Sequence, residues 1–114
     1  MTGDDLATLL ADDAVALVDV RVRAEFDGTS GYPCDPRQGH IPGAIHIELD
    51  DLLGAERGEL HGLLEANGVR PGLPLVLYCH SGSRSGIASA ALNAAGIEAV
   101  NYAGSWHEWS RRTA

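Results

Sequence analysis

The sequence predicts an α/β fold built on a parallel sheet. Two observations carry this. Short apolar runs alternate along the chain with segments of helical periodicity. One of those runs, Leu73-Pro74-Leu75-Val76-Leu77-Tyr78, is apolar throughout, the pattern of a strand buried on both faces. At 114 residues the chain suits one domain, 1–114, and 45% hydrophobic with 21% charged residues is the balance of an ordinary globular protein.

Taken in order, residues 4–11 place Leu6, Leu9 and Leu10 at helical spacing, and Val15 to Val18 form a short apolar strand ending at Asp19. Gly28 to Gly39 hold three glycines and two prolines and are expected to be an irregular surface excursion with Cys34 in its middle. Residues 44–47 suit a short strand. Residues 49–67 read as helix in two pieces, broken around Gly54 and Gly58, with Gly68 as a C-cap. The strand ending at Tyr78 delivers Cys79 at its carboxyl end. From Ser83 to Ala95, Ile87, Ala88, Ala90, Ala91, Leu92, Ala94 and Ala95 make a small-residue helix that approaches the sheet closely, and Gly96 stops it. A last strand over 98–102 leads through Gly104 into a short helix carrying Trp106 and Trp109 on one face.

Composition narrows the function. A formal charge of −8 argues against nucleic acid or an anionic membrane as partner, since both need a clustered positive face. The acidic start, Met1 to Asp5, and the lack of an apolar run of roughly 18 residues lead to the expectation of a cytoplasmic protein with Cys34 and Cys79 reduced. All eight basic residues are arginine, each a planar fork suited to oxyanions.

The chemistry concentrates in Cys79-His80-Ser81-Gly82-Ser83-Arg84-Ser85, which joins the most apolar strand to the small-residue helix. Crevices at the carboxyl ends of strands are where open α/β sheets bind ligands. A curled loop there aims successive N–H groups at one point, and the helix adds the positive end of its dipole. Both favour the thiolate of Cys79, the nucleophilic form. Gly82 allows a left-handed turn that brings amides to the sulfur, Ser83 or Ser85 can cap the helix, and Arg84 is placed to hold a substrate oxyanion.

Residues 78–85 resemble the active-site loop of rhodaneses, which often read Y-C-x-x-G-x-R-S. Asp19-Val20-Arg21 with Glu25-Phe26 resembles the family's D-V-R…E-F segment. Gly39 to Ala44 matches its G-H-I-P-G-A motif, and Gly104 to Trp109 resembles the G-S-W-x-E-W ending of tandem-domain thiosulfate sulfurtransferases. The resemblance implies a three-layer domain, a parallel sheet of four to five strands flanked by helices on both faces. It also implies a ping-pong transfer in which Cys79 takes sulfane sulfur from a small anionic donor as a persulfide and hands it to cyanide, a thiol or a thiol protein. His80, Ser81, Gly82, Ser83, Arg84 and Ser85 would bind the substrate, and no metal or organic cofactor is required. Thiosulfate is the expected donor, because 3-mercaptopyruvate-specific relatives tend to carry C-G-S-G-V-T and an arginine where Glu25 falls. Phosphatases and arsenate reductases of the same fold carry C-x5-R, one residue longer than the Cys79 to Arg84 loop. Non-catalytic copies commonly replace the cysteine that is present here.

Elsewhere, His80 can act as a general acid or base or simply point to solvent, the second being favoured, while His40 is expected to fix its turn, Asp19 and Arg21 to form a buried ion pair under the loop, and both tryptophans to be core. Cys34 reads as an incidental exposed thiol. His40, His46, His61 and His107 show no cysteine at ligand spacing, so no zinc site is expected.

Overall fold

The computed structural model describes residues 1–112. Its elements are α1 (Gly3–Ala11), β1 (Ala16–Asp19), α2 (Arg23–Asp27), β2 (Ile45–His46), α3 (Leu49–Gly54), a 3-10 turn (Arg57–Glu59), α4 (Leu60–Ala66), β3 (Leu75–Tyr78), α5 (Ser83–Ala94), β4 (Ala99–Asn101) and α6 (Ser105–Trp109). The four strands lie in the order β2-β1-β3-β4, and every pairing is parallel. Among the described residues the sheet thus has four strands, the lower of the two numbers expected, and β1 and β3 are central.

Alternation along the central strands splits the core in two. Ala16 and Val18 of β1, with Leu75 and Leu77 of β3, face Leu52, Leu60, Leu64, Ala88 and Leu92 of α3, α4 and α5. Leu17, Val76 and Tyr78 face Leu6 of α1 and Trp106 and Trp109 of α6. Helices therefore cover both faces, which is why β1 and β3 are buried at every position. A fully buried leucine such as Leu77 or Leu92 contributes about 2 kcal/mol by leaving water.

The excursion over 28–39 contains neither helix nor strand, as its glycines and prolines require. Two features depart from the sequence pattern. The single-turn α2 lies where no periodicity announced it, and Gly28, at φ 82, ends it. Ile87 of α5 is 53% exposed, so only Ser85, Ala88, Ser89 and Leu92 of that helix are buried against the sheet side.

The Cys79 loop as candidate active site

β3 ends inside the core, so Cys79 emerges fully buried at the point where the chain turns into α5. Gly82 makes the turn at φ 93, and a Cβ there would stand 2.7 Å from the carbonyl oxygen of Ala103. Only glycine fits. Gly82 is itself the N-cap of α5, with no side-chain cap, so neither Ser83 nor Ser85 caps the helix as expected. The reason is that the Ser85 side chain is drawn inward. Its hydroxyl lies 3.3 Å from Cys79 Sγ and 2.7 Å from Asn101 Oδ1.

The Gly82 amide donates to Cys79 Sγ at 3.1 Å. Burial is the largest influence on this thiol and pushes its pKa up. Hydrogen bonds from the Ser85 hydroxyl and from the amides of Ser85, Ser81 and Gly82 outweigh it and hold the pKa below the ordinary value. Negative charge at sulfur is thus supported by dipoles that the fold has already oriented.

The far side of the loop is tied to the C-terminal segment. Ser105 Oγ accepts the Cys79 amide at 3.1 Å, while the amides of Trp106 and His107 donate to the carbonyls of Cys79 and His80 at 3.0 and 2.9 Å. Asn101 Nδ2 donates to the Gly82 carbonyl at 3.0 Å. Sequence reasoning missed Asn101 and Ser105. The one available signal was a polar residue closing the otherwise apolar run over 99–100.

The other residues expected to bind substrate are dispersed. Ser81 and Ser83 are exposed. Arg84 forms a two-pronged pair with Glu25, at 2.8 and 3.1 Å, so its guanidinium is already engaged by a carboxylate. Beside this pair opens a cleft of about 270 Å³ lined by Val22, Glu25, Ser30, Gly31, Tyr32 and Pro33. A larger cavity, about 330 Å³, lies around Leu73, Leu75 and Ile97 at the opposite end of β3 from Cys79.

His80 does not face solvent. It is buried, donates from Nε2 to Asp35 Oδ2 at 2.9 Å and stacks on Tyr32 with ring centroids 3.7 Å apart. Asp35, buried in the excursion, also pairs with Arg111 at 2.9 Å and His107 at 3.5 Å. Cys34 is exposed beside it. The ligating atoms of Cys34, Asp35, His80 and His107 all lie within 4.8 Å of one another, although their sequence spacing gave no hint of a cluster.

Asp19 and Arg21 form the expected buried ion pair at 2.8 Å. Its further contacts run to the Gly39 carbonyl and the faces of Tyr78 and Trp106 rather than to the loop. His40 bonds the Phe26 carbonyl at 2.8 Å and stacks on the Phe26 ring, which fixes the turn to α2. Trp106 and Trp109 are core, 3% and 8% exposed.

The chain is thus of the α/β class in which a doubly covered parallel sheet presents a buried cysteine in an amide-lined loop at its carboxyl end. Within that class, a model of the rhodanese-like domain matches residues 2–112. The chain belongs to the rhodanese-like domain family. It is 38% identical over 112 residues to a protein of Mycobacterium tuberculosis named putative thiosulfate sulfurtransferase SseB, covering 90% of this chain and 39% of that one. It is 40% identical over 116 residues to the probable 3-mercaptopyruvate sulfurtransferase of Pseudomonas aeruginosa, covering 92% and 40%. The chain therefore spans about two-fifths of the length of these relatives. Among solved structures, a probable thiosulfate sulfurtransferase superposes with TM-score 0.77 at 40% identity, over 97% of this chain and 44% of that one. The human single-domain sulfurtransferase TSTD1 superposes with TM-score 0.68 at 29% identity, over 100% and 96%. No described helix is long and apolar enough to cross a membrane.

Proposed function

We propose that the chain is a sulfurtransferase that carries sulfane sulfur on Cys79 and takes it from thiosulfate. The observation that carries the reading is the sulfur itself: Cys79 Sγ receives the Gly82 amide at 3.1 Å, beside the Ser85 hydroxyl, in a loop that opens into α5. The thiolate attacks the outer sulfur of thiosulfate, the bond between the two donor sulfurs breaks, and sulfite leaves with the electron pair. Cys79 is then a persulfide whose terminal sulfur is anionic. A thiophile such as cyanide or a thiol attacks that terminal sulfur and regenerates the thiolate. The loop amides stabilise charge in each state, as an oxyanion hole does.

Donor choice separates two readings. Thiosulfate is favoured by the names of the M. tuberculosis relative and the superposed structure. The P. aeruginosa relative's name supports 3-mercaptopyruvate. The reduced protein is incubated with each donor and weighed intact, then treated with cyanide and assayed for thiocyanate. One added sulfur from thiosulfate, absent in Cys79→Ser and discharged by cyanide, is the expected result. Loading by 3-mercaptopyruvate alone replaces the donor, and loading by neither overturns the catalytic reading.

A further inference from the structure

Beside the Cys79 cradle, the fold gathers four side chains that ligate metals. Cys34 and Asp35 come from the excursion, His80 from the loop and His107 from α6, and their ligating atoms all lie within 4.8 Å of one another. We propose that this cluster binds one divalent ion of the zinc class, at a site distinct from the sulfur chemistry.

The donor set selects the ion. One thiolate, two imidazoles and a carboxylate suit zinc and disfavour magnesium or calcium, which take oxygen. Zinc bonds of about 2.0–2.3 Å to such ligands make a tetrahedron with edges of about 3.3–3.7 Å. Asp35 is already near that scale, with Oδ2 at 2.9 Å from His80 Nε2 and Oδ1 at 3.5 Å from His107 Nδ1. Cys34 Sγ is 4.0 Å from Asp35 Oδ1. Closing the widest separation takes a shift of about 1 Å, within what a side-chain rotation delivers.

Burial divides the set usefully. Asp35 and His80 are buried, and the stack on Tyr32 fixes the His80 ring, so half the site is preorganised. Cys34 and His107 are exposed and free to turn inward. Arg111 is the competing cation on Asp35 Oδ1. It also donates to the carbonyls of Cys34 and His107, so it can release the carboxylate without being stranded. Its charge stays close and weakens the site. Binding releases the Cys34 proton to solvent and moves the His80 proton to Nδ1, leaving Nε2 to ligate.

The test uses the full chain in a Cys79→Ser background, so that the catalytic thiol adds no metal–sulfur band and the result stands whether or not Cys79 carries sulfur. Cobalt(II) is titrated in and displaced with zinc. The expected result is saturable one-to-one binding with a thiolate-to-cobalt charge-transfer band and intense visible bands of a tetrahedral ion. Cys34→Ser removes the charge-transfer band, and His107→Gln weakens binding at least tenfold. Both positions are exposed, and circular dichroism confirms that each variant is folded. Absence of saturable binding, pale octahedral-type bands, or affinity left unchanged by His107→Gln each overturns the site.

Discussion

Two loops meet at the carboxyl end of the sheet, and they are held by different forces. Residues 79–85 are fixed through backbone: the Gly82 turn, its amide on Cys79 Sγ, and amides of α6 on the carbonyls of Cys79 and His80. The excursion over 28–39 is fixed largely through side chains that reach across the fold. Asp35 pairs with His80 and Arg111, Arg37 donates to the Trp109 carbonyl, Trp106 donates to the Arg37 carbonyl, and Arg21 holds Gly39. The first loop should be the more sensitive to changed geometry, the second to changed charge.

The largest effect is expected at Gly82→Ala. A residue strained at φ 93 and a Cβ 2.7 Å from Ala103 O should cost about 3 kcal/mol in urea unfolding. Sulfur loading of Cys79 should be lost as well. A neutral result would show that the loop is not set by its backbone.

Next, Asp35→Asn keeps shape and removes charge. It should cost about 1–2 kcal/mol by weakening the bonds from Arg111 and His80. Hydrogen exchange should rise across 28–39 and stay unchanged over 79–85. Equal deprotection of both loops would merge what the comparison keeps apart.

Glu25→Gln probes the bridge between loop and α2. Burial raises the Glu25 pKa, but the hydrogen bonds and charge of Arg84, with the charge of Arg21, lower it further than burial raises it. Because the folded pKa is depressed, the stabilisation is complete above the ordinary carboxylate range and is lost as pH falls through the folded value. The variant should therefore lose part of the acid limb of the stability profile, at a cost under about 1 kcal/mol near neutrality, since Arg84 is partly exposed. An acid limb identical to the parent's would remove the pair from the account. Ile87→Ser should change stability by within about 0.5 kcal/mol, because the side chain is 53% exposed. A loss of a kilocalorie or more would mean that this face of α5 is covered.

Much of the cradle was legible in the sequence. Its geometry follows from local chemistry: an apolar run makes a buried strand, glycine makes the turn, and a small-residue helix follows. The Asp19–Arg21 pair and the two tryptophans were legible for a similar reason, since both sit at short spacing on one element or strand end. By contrast, α2 is a single turn, too short for periodicity to register.

What the sequence by itself determined was the order of strands and helices, the parallel sheet, and the placement of Cys79 at the end of its most apolar strand, because these follow from short-range patterns of apolar residues and glycine. Only the tertiary structure decided that Arg84 engages Glu25, that Asn101 and Ser105 brace the loop, and that Cys34, Asp35, His80 and His107 share one corner. Those partners lie far apart along the chain. Their meeting depends on how the α2 excursion and α6 close over the sheet, and no local periodicity encodes that closure.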